Sequence, residues 1–140
     1  MDRTPIGFIK DVGLLSGIIS HDSATFIHNL STFPEAPVVR FCEYPPKRQP
    51  RRYRFVKPHD PSRLYEETIH LGGDLYVTSP KRTIVDMVAA RGTEEFIYQS
   101  IETYLDEYGS AEDLLEYADT YGVRPQMQEF LDTLDGWDSY

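Results

Sequence analysis

Three groups of residues in this chain have types and spacing that could carry chemistry. Arg82 and Asp86 stand four residues apart within Leu75 to Val88, one helical turn, where a guanidinium and a carboxylate can pair. Ser20, His21 and Asp22 supply the residue types of a nucleophilic relay. Glu66-Glu67 and Glu94-Glu95 are adjacent carboxylates. Each group has a plainer reading. Neighbours at a helix start point in different directions, so Ser20, His21 and Asp22 read as a capping cluster that cannot relay protons among themselves. Acid–base catalysis needs carboxylates facing each other across a cleft, so the adjacent glutamates read as solvated faces. Arg82 precedes Asp86, the order less suited to the helix dipole, and the pair reads as a structural feature of a capped helix. Cys42 is the single cysteine, and His21, His28, His59 and His70 are scattered, which gives no zinc-ligand spacing. Gly72-Gly73 lacks the Lys-Ser/Thr that completes a phosphate loop. The residues therefore point to no catalytic set, no metal and no cofactor.

Charge is the stronger signal. The net charge of −9 disfavours nucleic-acid binding by the whole surface, but the distribution is uneven. From Tyr44 to Pro58 the chain carries Lys47, Arg48, Arg51, Arg52, Arg54 and Lys57 with no acid. From Gly92 to Tyr140 it carries thirteen acids against Arg124 alone. Two readings stand for each segment. The basic one, with Tyr44 and Tyr53 nearby, either contacts phosphates or an acidic protein, or is simply a solubilising loop. The acidic one, including Glu94, Glu95, Glu102, Asp106, Glu112 and Glu116, is either a docking face for a basic partner or a solvated helical surface.

These residues need elements to hold them. At 140 residues and 40% apolar, the chain has enough material for one domain with a core, spanning 1–140. No stretch reaches the ~20 apolar residues of a membrane span, and the N-terminus is too broken for a secretory signal. A cytoplasmic protein is expected, with Cys42 a buried, inert thiol. Ser20 is placed as the N-cap of a helix running through Ala24, Phe26, Ile27 and Leu30. Val38 to Tyr44 and Arg52 to Val56 read as strands, the basic stretch between them as an exposed loop or hairpin connection. Thr68 to Leu71 and Leu75 to Thr78 form a hairpin about the glycine turn. The pattern then turns helical. Ser79 caps and Pro80 opens one helix; Thr93 caps the second, Ser110 with Asp113 the third, and Pro125 opens the last. Their coreward residues include Phe96, Ile97, Ile101, Tyr104, Leu105, Leu114, Leu115, Ala118, Tyr121, Met127, Phe130, Leu131 and Leu134. The fold class is α+β: a small, mostly antiparallel sheet in the first half and a helical bundle in the second.

Three motifs in order give the chain a resemblance. Ile19-Ser20-His21-Asp22-Ser23-Ala24 with Phe26-Ile27-His28-Asn29-Leu30 resembles an S-H-x-S-A-L-x-L-H-G-L helix, departing at Thr25 and Asn29. Tyr76 to Asp86 is similar to V-T-x-P-x-R-T-I-x-D, with Ser79, Pro80, Arg82, Thr83 and Asp86 in place. Leu114, Tyr117, Ala118 and Gly122 match L-x-x-Y-A-x-x-x-G. Together they resemble the C-terminal domain of AbiE-type abortive-infection antitoxins, over about Ile19 to Trp137. In that family the domain follows a DNA-binding winged helix and counters a nucleotidyltransferase toxin. Only residues 1–19 precede the first motif here, so the resemblance implies neutralisation of a partner toxin in bacterial phage defence, without autorepression by this chain alone. It implies a non-enzymatic role, with Ser20, Ser23, Ser79, Pro80, Arg82, Thr83 and Asp86 as structural residues. The alternative is a nucleic-acid-binding regulatory module that uses the basic segment 47–57.

Overall fold

A computed structural model describes residues 16–31, 38–41 and 53–138. In chain order the elements are β1 (Ser16–Ile19), α1 (His21–Ile27), β2 (Val38–Phe41), β3 (Tyr53–Val56), a 3-10 turn (Pro61–Arg63), β4 (Thr68–Gly72), β5 (Asp74–Thr78), α2 (Pro80–Ala89), α3 (Glu94–Glu107), α4 (Ala111–Thr120) and α5 (Arg124–Asp138). The chain is α+β, with four of the five described α-helices after the last strand.

The five strands form one sheet in the order β3-β2-β1-β5-β4. β4 and β5 make the expected antiparallel hairpin, with Ile69 opposite Val77 and a bulge between His70 and Gly72. Gly73 turns the corner at φ +53°, a conformation that costs glycine little. β1 is the strand that local pattern left unassigned. It lies at the centre, parallel to β5 and antiparallel to β2. β2 and β3 run parallel, in register from Val38–Tyr53 to Phe41–Val56. The sheet is therefore mixed, two parallel and two antiparallel pairings. A hairpin, one of the two readings of the basic connection, is overturned, because a hairpin joins antiparallel strands.

α2 is the keystone. Its residues Arg82 to Val88 are all buried, and it packs against α1, α3, α4 and α5. A helix surrounded in this way needs an apolar or internally satisfied face on every side. Ile84, Val85, Met87 and Val88 join Ile97, Ile101, Leu114, Ala118 and Met127 in the helical core. A smaller core of Ile19, Ala24 and Val77 lies between the sheet and α1.

The caps vary in how far they follow the local rules. Ser79 Oγ accepts from Arg82 N at 3.2 Å with Pro80 in the first turn, and Ser110 and Asp113 form a reciprocal capping box. Gly109 sits tight against that box: an added Cβ would lie 2.6 Å from Asp113 Oδ2 and 2.7 Å from the Tyr104 hydroxyl. Thr93 and Ser20 occupy their N-cap positions without a side-chain capping bond. Leu105, expected in the core, is 39% exposed, because it falls beyond the arc that α3 turns toward α2.

Candidate partner-binding surface

Arg82 and Asp86 meet at the joint where the sheet hands over to the helices. Nε of Arg82 lies 3.3 Å from Oδ2 of Asp86, within ion-pair distance but poorly aligned for a hydrogen bond, and both side chains are 1% exposed. Nη1 of Arg82 donates to the carbonyls of Leu64 at 2.6 Å and Glu66 at 2.5 Å. The guanidinium thus pins the segment before β4 onto α2. Burial is the dominant influence on Asp86 and lifts its pKa to about 7, against the pull of Arg82. Beside the pair, the tilted rings of Tyr117 and Tyr121 stand 5.2 Å apart with their hydroxyls buried. Burial pushes both phenols above their ordinary range; their mutual interaction raises Tyr117 further and opposes the rise at Tyr121. His59 stacks on Tyr121 and donates from Nε2 to its carbonyl at 3.1 Å, tying the same segment to α4. The Arg82 and Asp86 side chains are thus closed off from solvent.

The motif around α1 is also largely internal. Ser20 and Ser23 are buried, and Thr78, Thr83 and Thr25 are fully buried. Thr83 Oγ1 lies 2.6 Å from Thr78 Oγ1 and 2.7 Å from the Ser79 carbonyl. His28 donates from Nε2 to the Thr78 carbonyl at 2.6 Å; burial, the larger effect, lowers its pKa, and the carbonyl opposes that. One expectation is corrected here. Ser20 Oγ lies 2.8 Å from His21 Nδ1, so these adjacent side chains do hydrogen-bond. His21 adopts φ +52°, which turns its ring back toward Ser20 and overrides the divergence of a regular helix start. Ser20 itself is enclosed, with no exposed hydroxyl to act as a nucleophile.

The acidic residues are placed oppositely. Glu94, Glu95, Glu102, Asp106, Glu112 and Glu116 are all exposed. Arg124 approaches Glu112 at 3.8 Å, a long ion pair between exposed groups. The Glu66-Glu67 pair is exposed too, Glu66 meeting Arg63 at 2.6 Å and Glu67 meeting Lys81 at 3.8 Å. Three concavities among the described residues bear on this surface. One, of about 390 Å³, opens between α3 and α5 and sets Glu94, Glu129 and Asp132 around Tyr98 and Phe130. Those two rings meet edge to face at 5.0 Å. A second, of about 240 Å³, has Glu66, Glu67, Asp113 and Glu116 around Lys81, whose ammonium lies 5.1 Å over the Tyr117 ring. The third is an apolar groove of about 160 Å³ between α3, α4 and α5. Sequence reasoning found the carboxylates and missed the hollows, which arise from how the helices cross and leave no local signal.

Of the basic residues, Lys47, Arg48, Arg51 and Arg52 lie outside the described residues, as do Cys42 and Tyr44. Arg54 is placed in the backbone of β3, and Lys57 follows that strand, exposed. No three His, Cys, Asp or Glu side chains among the described residues converge as metal ligands. Among them, too, no helix is long and apolar enough to cross a membrane. No family model matches the chain, and no curated protein matches it.

Proposed function

We propose that this chain is a non-enzymatic, antitoxin-like cytoplasmic protein that binds and neutralises a partner toxin of nucleotidyltransferase type. The observation that carries this reading is the exposed acidic surface of α3, α4 and α5. Six carboxylates singled out in the sequence stand in water there, among apolar and aromatic hollows. A nucleotidyltransferase handles polyanionic substrates and presents basic residues to them. An acidic surface would steer toward such a protein and cover its basic site, while like-charged partners would be rejected. The motif resemblance supports the toxin class. Its residues form the buried joint between α1 and α2, so they would preserve the scaffold and leave recognition to the surface.

The test is co-expression. A nucleotidyltransferase encoded beside this chain should arrest growth when expressed alone, and this chain should restore growth and co-purify with it. A neighbour that is harmless, or toxicity that persists with the chain present, rejects the reading.

A further inference from the structure

The apolar groove between α3, α4 and α5 differs in kind from the acidic surface around it. Leu115, Leu131 and Leu134 are buried beneath it, and Leu105, 39% exposed, forms part of its wall. Glu102 and Asp135 stand at its rim. Its volume of about 160 Å³ is below the roughly 300–1,000 Å³ of small-molecule sites, and suits a single aliphatic side chain. Amphipathic helices dock by seating apolar side chains in such grooves, and a slot of this size beside Glu102 and Asp135 has room for one anchor with cations on its flanks. A second copy of this chain is a poor occupant. Its net charge is −9, and docking this face on itself would bring acids together.

We propose that this groove receives an aliphatic anchor residue from a basic amphipathic helix of the partner, the anchor seated among Leu105, Leu115, Leu131 and Leu134 and a lysine or arginine one turn away paired with Glu102. The inference rests on the partner-binding reading and specifies how the partner is held. Leu105 forms the accessible wall and Glu102 the electrostatic rim. Neither packs in the helical core, so both can be changed without dismantling the fold.

The probe is a helical peptide of leucine and lysine with one apolar face, titrated into the full chain with methyl NMR detection. The expected result is a shift of the Leu105, Leu131 and Leu134 methyl resonances and binding that weakens with salt. Leu105→Glu and Glu102→Lys should each weaken it by about tenfold or more. A scrambled peptide of equal charge without an apolar face should leave those methyls unmoved. The inference is overturned if the amphipathic peptide leaves them unmoved, if the scrambled peptide shifts them equally, or if both variants bind as well as the parent. Self-association that Leu105→Glu abolishes would make a second copy the occupant and overturn it too. Failure here is distinct from failure of the toxin reading: growth rescue that survives both substitutions rejects the groove and leaves neutralisation standing, whereas absence of rescue by the parent chain rejects neutralisation whatever the peptide does.

Discussion

Arg82 and Asp86 are sealed inside the molecule, whereas Glu94, Glu95, Glu102, Asp106, Glu112 and Glu116 of α3 and α4 are left in water. Removing two charges from water is costly, and a buried pair is retained only where it is well supported. Arg82 is supported: besides Asp86, it donates to the backbone carbonyls of Leu64 and Glu66 in the segment before β4. The surface carboxylates serve no comparable internal partner. Folding therefore depends on the first group and gains little from the second. Charges that folding does not use are open to another role, and the contrast separates the scaffold from the surface we propose for recognition.

Removing the guanidinium should give the largest effect. Arg82→Ala removes the donor to the Leu64 and Glu66 carbonyls and, above about pH 7 where Asp86 is ionised, its counter-charge, and should cost about 3–5 kcal/mol in urea unfolding at pH 8. A double replacement, Arg82→Met with Asp86→Leu, sharpens the point. If the ion pair were the only role of Arg82, an apolar pair would be close to neutral. Because the two carbonyls also depend on it, much of the loss should remain. A double variant as stable as the parent would reduce the joint to an ordinary buried ion pair.

Next comes the pH dependence of Asp86. Its folded pKa of about 7 lies above the ordinary value of 3.8, so between those pH values the folded chain holds a proton that the unfolded chain has released. Stability from this group is fully present below pH ~4 and is lost as pH rises through about 7, with a slope of at most about 1.4 kcal/mol per pH unit. The measurement is the difference between the parent and Asp86→Asn across pH 4 to 8, which cancels groups common to both. The parent should lose stability relative to the variant as pH rises. A flat difference would show that Asp86 titrates as an ordinary carboxylate.

The contrast also marks what could be read from the sequence. Ser79 with Pro80, and Ser110 with Asp113, declare helix starts through rules acting over three residues, and the structure keeps both. The β4–β5 hairpin is written in its glycine turn. β1 is different: Ser16 to Ile19 is a short run containing Gly17, and it becomes a central strand by pairing with β5, far along the chain. No local pattern encodes that partner. The burial of Arg82 was hidden for a related reason. An Arg and Asp one turn apart usually lie on a wet surface, and only the arrival of Leu64, Glu66 and α4 encloses them. The strained His21 likewise follows from where β1 delivers the chain. The carboxylates of the candidate surface were legible because solvated charge needs no tertiary partner, while its grooves exist only once α3, α4 and α5 have packed.

Between joint and surface lies an intermediate case. Ser79→Ala removes the side-chain cap at the start of α2 and should cost about 1 kcal/mol in urea unfolding. That loss should fall well below that of Arg82→Ala, because the cap is one half-buried hydrogen bond, whereas the guanidinium is fully buried and joins Asp86 and two backbone carbonyls. Equal losses would mean that the joint is held by its cap and not by its charge.

The smallest effect on stability should come from the surface, and there the comparison is most exposed to failure. Glu102→Gln, Glu112→Gln and Glu116→Gln each remove a charge from an exposed helix position without changing side-chain shape. Substitutions at such sites usually move stability by no more than about 0.5 kcal/mol. Neutralising all three lowers mutual repulsion on an acidic face, so the combined variant should unfold at the parent's urea concentration or slightly above it. Binding should respond in the opposite sense. Loss of long-range attraction should lower the association rate for a basic partner and flatten its salt dependence, measurable by stopped-flow or surface plasmon resonance with a partner recovered in the co-expression test. Stable protein with slower, less salt-sensitive association assigns these carboxylates to recognition. A triple variant that loses stability as Arg82→Ala does would place them in the scaffold and erase the distinction between the two groups of charges.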